Sequence, residues 1–233
     1  MSNYKNIKVI GFDADDTLWV NETYFREAEE AFCTLLSEYE TPNKLDQELF
    51  KMEMANLELY GYGVKAFTLS MVQAALELSN YNISNKKLEQ VLNIGKTMLN
   101  KPVELLDGVE EVLKTLSKKY KLILATKGDL LDQERKLEKS GLTSYFHHIE
   151  VLSDKKETNY SKLLNHLDVK PQQFLMVGNS LKSDVLPLAN LKAHAIHVPF
   201  HTTWAHELVT EKETNGKEYK TISSLKELLN LLD

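Results

Sequence analysis

The sequence predicts an α/β fold in which a doubly wound parallel sheet is interrupted by a helical insert. Three observations predict it: short apolar runs typical of buried strands, their alternation with helical patterns in the second half of the chain, and a purely helical stretch after the first run. A chain of 233 residues is long enough for one core and an insert. We predict a core domain formed by residues 1–19 and 105–233, and a helical domain formed by residues 20–104.

Five segments have the length and the apolar, β-branched composition of buried parallel strands. From Gly108 onward, helical patterns separate these segments, which is typical of β-α-β units. The predicted strands are residues 7–12, 121–126, 148–152, 174–177 and 193–198.

The stretch between the first two predicted strands has helical patterns and no convincing strand. Apolar residues recur at intervals of three and four over residues 25–39, with Asn21 as a plausible N-cap and Pro42 as the end of this helix. Three further helical patterns cover residues 45–59, 64–79 and 85–99.

The composition argues against several classes of protein. With 34 acidic and 28 basic residues the formal charge is −6, so no general attraction to nucleic acid or to an anionic membrane is expected. No apolar run reaches the roughly 18 residues of a membrane span. The polar N-terminus does not resemble a signal peptide, and a single cysteine cannot form an intrachain disulfide. We therefore expect a cytoplasmic protein.

Three carboxylates follow the first predicted strand in the segment DADDT. Ligands bind at the carboxyl ends of the strands in open parallel sheets, so Asp13 and Asp15 form a candidate site. One would act as a nucleophile or metal ligand and the other as an acid or base. An acidic turn that caps the next helix is the alternative explanation, and it suits Asp16 best. Thr17 is expected to fix the turn and to orient Asp15.

Two further strand ends carry groups that suit an anion. After the second strand, Thr126 offers a hydroxyl and Gly128 an accessible N–H, while Lys127 is either a phosphate contact or an ordinary surface lysine. After the third strand come Lys155 and Lys156, and Lys155 better suits the distance to the following helix.

The fourth strand is followed by hard oxygen ligands in the segment GNSLKSD. Asn179 and Asp184 lie at its two ends, and both are suited to Mg²⁺. Carboxylates, a hydroxyl, a lysine and an amide from four strand ends make a complete set for metal-assisted phosphoryl transfer.

With these four motifs in order along the whole chain, the sequence resembles the haloacid dehalogenase superfamily. The resemblance implies a Rossmann-like core, and it implies that residues 20–104 are a helical C1-type cap because they lie between the first and second motifs. The matching positions are Asp13, Asp15, Thr126, Lys155, Asn179 and Asp184.

The resemblance further implies a Mg²⁺-dependent phosphatase acting on a small phosphorylated metabolite, such as a sugar phosphate or a nucleotide. Asp13 would attack phosphorus to give an aspartyl-phosphate, and Asp15 would act as acid and then as base. Thr126 and Lys155 would bind the phosphate oxygens. Mg²⁺ would be held by Asp13, by the backbone carbonyl of Asp15 and by the fourth motif.

The sequence departs from the family pattern at one position, and it leaves several alternative functions open. Asn179 stands where an aspartate is usual, so it stays open whether Asn179 or Asp184 is the direct metal ligand. The alternatives for these two residues are that Asn179 only shapes the loop and that Asp184 acts through a water molecule. The alternatives are a phosphomutase, a haloacid dehalogenase-type hydrolase and a non-catalytic phospho-sensing module. Within the family, the presence of Asp15 favours phosphatase over dehalogenase chemistry.

Overall fold

The computed structural model describes residues 4–233. Six strands form one sheet: β1 (Val9–Phe12), β2 (Lys121–Lys127), β3 (His148–Leu152), β4 (Phe174–Gly178), β5 (His194–His197) and β6 (Lys220–Thr221). Their order is β3-β2-β1-β4-β5-β6 and every pairing is parallel. The predicted doubly wound parallel sheet is therefore confirmed. The sequence did not reveal β6, because two exposed residues carry no periodic pattern.

Helices occupy the connections. They are α1 (Glu22–Leu35), α2 (Pro42–Tyr60), α3 (Val64–Leu78), α4 (Asn85–Leu99), α5 (Val109–Leu116), α6 (Leu130–Ser140), α7 (Glu157–His166), α8 (Leu186–Asn190), α9 (Glu211–Thr214) and α10 (Glu227–Leu231). The four helices predicted between the first two strands are present. The expected role of Pro42 was wrong: α1 ends at Leu35, and Pro42 begins α2, where its missing N–H costs nothing. No helix within residues 4–233 is both long and apolar enough to cross a membrane.

The chain divides into two compact units. The core unit comprises residues 4–22, Val103–Lys127 and Glu134–Asp233, and the helical unit comprises Thr23–Pro102 and Gly128–Gln133. The predicted boundaries had placed residues 128–133 with the sheet. Residues Gly128–Gln133 belong instead to the helical unit, in which Lys65 Nζ lies 2.8 Å from Asp129 Oδ1.

The sheet of the core unit is buried on both faces. All four residues of β1 are buried, and alternate residues of β1 and β4 belong to opposite apolar clusters. Side chains of α5 and α10 pack on one face, and those of α7 and α8 pack on the other. This packing fixes β1 and β4 firmly, so that the loops leaving their carboxyl ends start from rigid positions.

The helical unit has an apolar core of its own. Residues from all four of its long helices are buried together. The largest fully buried side chains among them are Phe32, Leu36, Leu45, Leu49 and Met71.

Candidate active site

The strand order brings the predicted motifs to one edge of the core unit. β1 pairs with β2 on one side, where Phe12 lies beside Leu124, and with β4 on the other, where Phe12 lies beside Val177. The direction in which the strands are added reverses at β1, and this is the point at which open α/β sheets bind ligands. The loops after β1, β2 and β4 therefore leave the sheet next to one another.

Lys155 is the centre of a buried ion-pair cluster in these loops. Its Nζ atom lies 2.5 Å from Asp13 Oδ1 and 2.6 Å from Asp184 Oδ1. The three side chains expose at most 9% of their surface. Lys156 differs: its side chain is 72% exposed and pairs with Asp154. The structure thus joins the first, third and fourth motifs through Lys155.

Burial dominates the electrostatics of this cluster. It raises the pKa of Asp13 to about 7, an effect that the Lys155 ammonium opposes and the Asp184 carboxylate strengthens. Burial also acts to lower the pKa of Lys155, but Asp13 and Asp184 outweigh it and hold that pKa well above its usual value. Lys155 is therefore charged. When Asp13 and Asp184 are both ionised, one negative charge is left over, and a bound cation would balance it and favour the ionised form of Asp13.

Thr17 connects the first motif to the fourth. Its hydroxyl donates to Asp13 Oδ2 at 3.0 Å and accepts from the backbone N–H of Asn179 at 3.0 Å. Asn179 Oδ1 lies 3.3 Å from the same hydroxyl oxygen. The expectation that Thr17 orients Asp15 was wrong, because the side chain it binds is Asp13. As a result, side-chain oxygens of Asp13 and Asn179 both lie within 3.3 Å of the Thr17 hydroxyl oxygen.

Asp184 is held by the loop that follows β4. The loop forms a short π-helical turn, Leu181–Val185, of a kind often found at functional sites. Asp184 Oδ2 accepts the backbone N–H of Ser180 at 3.0 Å. A Cβ atom on Gly178 would lie only 2.3 Å from Asp184 Cγ, so a glycine is required here to let the carboxylate approach the strand end.

Asp15 is fixed by two donors that share one oxygen. Trp19 Nε1 and Lys136 Nζ each lie 2.7 Å from Asp15 Oδ1. The Trp19 side chain is fully buried, and Lys136 also donates to Asn21 Oδ1 at 3.1 Å. Sequence reasoning missed Lys136, because it lies in a charged stretch of α6 where nothing distinguishes it from its neighbours.

The Asp16 side chain accepts hydrogen bonds from backbone N–H groups. The residue has a left-handed conformation with φ of 61°, and its carboxylate accepts the N–H groups of Asn21 at 2.8 Å and of Glu22 at 3.0 Å. Asp16 thus satisfies amides at the start of α1, the place where Asn21 was expected to cap. The Asn21 side chain instead accepts from Lys136.

The second motif has a buried hydroxyl and an engaged lysine. Thr126 is 1% exposed, and its Oγ1 lies 3.2 Å from the carbonyl oxygen of Lys127. Lys127 Nζ donates to Ser183 Oγ at 2.9 Å and lies 2.6 Å from Glu207 Oε1, so its charge is balanced by a carboxylate that sequence reasoning missed. Gly128 has φ of 126°, a conformation that glycine alone adopts readily, and it belongs to the helical unit.

The donor set suits Mg²⁺ in its chemistry. Across residues 4–233, no three or more His, Cys, Asp or Glu side chains form a group that could hold a metal ion. The set predicted from the motifs is different in kind, since it combines two carboxylates with an amide and a backbone carbonyl. All of these are hard oxygen ligands, which Mg²⁺ prefers. Asp13 and Asn179 both contact the Thr17 hydroxyl, and Asp13 and Asp184 both contact Lys155 Nζ.

Known proteins resemble this chain over most of its length. The family described as haloacid dehalogenase-like hydrolase matches residues 7–192. A solved haloacid dehalogenase-like family hydrolase from Xanthomonas campestris is 35% identical and has a TM-score of 0.85, with 97% of this chain and 92% of that chain covered.

Two relatives are named as phosphatases. N-acylneuraminate-9-phosphatase of Homo sapiens is 25% identical over 77% of each chain. Glyceraldehyde 3-phosphate phosphatase of Methanothermobacter thermautotrophicus is 24% identical over 97% of this chain and 100% of its own. The family resemblance inferred from the four motifs is confirmed by the match to residues 7–192. The chain belongs to the haloacid dehalogenase-like hydrolases.

Proposed function

We propose that the chain is a Mg²⁺-dependent phosphatase that hydrolyses a small phosphomonoester through an aspartyl-phosphate on Asp13. The observation that carries the proposal is the buried Lys155 ammonium between Asp13 and Asp184 at the carboxyl ends of the strands. The names of the two phosphatase relatives support the same reaction class.

In the first step, a carboxylate oxygen of Asp13 attacks phosphorus and the bond from phosphorus to the ester oxygen breaks. Lys155 lies 2.5 Å from Asp13 and has the charge to bind a phosphate oxygen beside it. Thr126, buried at the end of β2, supplies a hydroxyl for the same group. Asp15 gives its proton to the departing alkoxide, so the alcohol leaves in neutral form.

In the second step, a water molecule attacks the phosphorus of the aspartyl-phosphate. Asp15, now ionised, takes the proton of that water, and the bond from phosphorus to Asp13 breaks. Inorganic phosphate leaves and both carboxyl groups return to their starting states. Trp19 and Lys136 hold Asp15 in one orientation, which lowers the entropic cost of using the same group twice.

Asp13, the backbone carbonyl of Asp15, Asn179 and Asp184 would hold Mg²⁺ in this proposal. The ion would supply positive charge that lets an anionic carboxylate approach an anionic phosphate. The helical unit is proposed to act as the cap, which would favour small substrates over phosphoproteins.

The other functions that the sequence left open are less well supported. Solved dehalogenase structures that resemble this chain are 14–19% identical to it, a likeness that concerns the fold alone. A phosphomutase needs an aspartyl-phosphate that survives water, and a phospho-sensing module needs no acid. Asp15, held by its two donors, therefore argues against a phospho-sensing module, while the phosphatase names of the relatives favour hydrolysis over a phosphomutase.

The test is phosphate release from p-nitrophenyl phosphate with Mg²⁺ and with EDTA. We expect Mg²⁺-dependent turnover that falls at least about a thousandfold in Asp13→Asn. Asp46→Asn, an exposed aspartate in α2, is the matched control and should keep wild-type activity. An Asp13→Asn protein with full activity would overturn the proposal. If turnover depends on Mg²⁺ and on Asp13, candidate substrates are ranked with a panel that includes N-acylneuraminate 9-phosphate and glyceraldehyde 3-phosphate.

A further inference from the structure

We propose that Glu207 is a positioning residue of this site, which fixes the loop carrying Asn179 and Asp184 and thereby sets the affinity for Mg²⁺. The inference rests on the proposed function, because it assumes that these two residues face the metal. Glu207 lies on a short 3₁₀ turn, Ala205–Glu207, after β5 and outside the four motifs.

The position of Glu207 is unusual for a surface turn. Its side chain is only 11% exposed and pairs with Lys127, whose side chain is 15% exposed. A buried carboxylate is costly unless charges and hydrogen bonds compensate for its lost hydration. Here the compensation comes from the last residue of β2 and from the loop after β4, which belong to two of the four motifs.

The hydrogen bonds form a closed ring around the Glu207 carboxylate. Lys127 Nζ donates to Glu207 Oε1 at 2.6 Å and to Ser183 Oγ at 2.9 Å. Ser183 Oγ in turn donates to Glu207 Oε2 at 2.6 Å, and Ser180 Oγ donates to the same oxygen. Ser180 Oγ also accepts the backbone N–H of Ser183 at 3.0 Å. Only a carboxylate can accept all three donors at once.

The two serines explain why the ring matters for the site. Ser180 directly follows Asn179 in the chain, and Ser183 directly precedes Asp184. The backbone N–H of Ser180 also binds Asp184 Oδ2 at 3.0 Å. Through Ser180 and Ser183, Glu207 therefore fixes the loop directly next to both candidate metal ligands, Asn179 and Asp184.

A second contact docks the 3₁₀ turn on the same loop. Lys182 Nζ donates to the backbone carbonyl of His206 at 2.6 Å, one residue before Glu207. Lys127, Ser180, Lys182 and Ser183 thus all bind the turn at 205–207. Groups that orient metal ligands from behind typically change metal affinity or activity 10–100-fold when removed.

The experiment compares wild type, Glu207→Gln and the exposed control Glu218→Gln. Isothermal titration with MgCl₂ alone measures Mg²⁺ affinity without turnover, and p-nitrophenyl phosphate assays measure kcat at saturating Mg²⁺. For Glu207→Gln we expect Mg²⁺ binding weakened at least about tenfold, with kcat at saturating Mg²⁺ within about threefold of wild type. A general loss of stability would not produce that split between affinity and kcat. Glu218→Gln should bind Mg²⁺ as wild type does.

Wild-type Mg²⁺ affinity in a folded Glu207→Gln protein would overturn the proposal. If Glu207→Gln does not fold, the double variant Ser180→Ala/Ser183→Ala takes its place, and unchanged affinity in that variant would overturn the proposal equally. A wild-type protein that binds Mg²⁺ but releases no phosphate from any ester would refute the proposed function alone, since the titrations still decide the role of Glu207. A wild type that does not bind Mg²⁺ would refute both.

Discussion

Glu207 gives a sharp prediction about stability and pH. Burial alone would raise the pKa of Glu207, but the Lys127 ammonium and the hydrogen bonds from Lys127, Ser180 and Ser183 lower it from 4.5 to about 2. At about 1.4 kcal/mol per pKa unit, that change corresponds to about 3 kcal/mol of folding free energy at pH 7. The side chain is 11% exposed, so solvent screening takes little from this value.

The sign follows from the direction of the shift. A carboxyl group with a lowered pKa stabilises the folded state above its unfolded pKa, and this stabilisation disappears as the pH falls through its folded pKa. Glu207 should therefore contribute fully above about pH 5 and lose its contribution between about pH 5 and pH 2. By pH 3 about 1.5 kcal/mol should remain.

The assay is urea unfolding in EDTA at pH 7 and at pH 3, with wild type, Glu207→Gln and Glu218→Gln. We expect Glu207→Gln to lower the free energy of unfolding by about 3 kcal/mol at pH 7 and by about half as much at pH 3. Glu218→Gln should change it by less than about 0.5 kcal/mol. A difference between wild type and Glu207→Gln that is below about 1 kcal/mol at pH 7, or equal at both pH values, would refute the reasoning.

Three other substitutions test the geometry. Gly178→Ala should reduce activity at least about a hundredfold, measured as phosphate release, because its Cβ would lie 2.3 Å from Asp184 Cγ; wild-type turnover would contradict this contact. Trp19→Phe keeps a buried ring but removes one donor to Asp15, and should cost about 1–2 kcal/mol of unfolding free energy by urea titration together with a fall in kcat; an unchanged kcat would show that the indole does not orient Asp15. Lys155→Met leaves two buried carboxylates without their shared cation, and should lower the free energy of unfolding in EDTA by about 3 kcal/mol or more; a more stable variant would show that the ion pair is net unfavourable.

The strands of the sheet could be predicted because each is marked by residues that are adjacent in the sequence. A buried parallel strand needs an apolar run, and the run ends where polar residues begin, so five strands and the polar ends of four of them could be found from the sequence. Boundaries depend on less local effects. The apolar pattern before Pro42 continued past the end of α1 at Leu35, and the two-residue strand β6 had no pattern at all.

The partners of the site residues could not be predicted in this way. Lys136 binds Asp15 across 121 positions of the chain, and Glu207 binds Lys127 across 80. Lysine and glutamate are common on solvated surfaces, and only the tertiary fold distinguishes a buried pair from an exposed one. Asp16 was predictable as a turn or cap residue, because its carboxylate binds amides only five and six residues away.

The charges around the strand ends give a physical reason for the amide at position 179. Asn179 Oδ1 lies 3.3 Å from the Thr17 hydroxyl that also donates to Asp13 Oδ2, so both side chains contact the same hydroxyl group. Burial and Asp184 already raise the pKa of Asp13 to about 7 against the pull of Lys155. A carboxylate at position 179 would add a further negative charge and disfavour the ionised form of Asp13 still more. In the proposed site, the amide would keep an oxygen for a cation without that cost, and its weaker hold on the cation would make the exact position of the loop, and hence Glu207, more important.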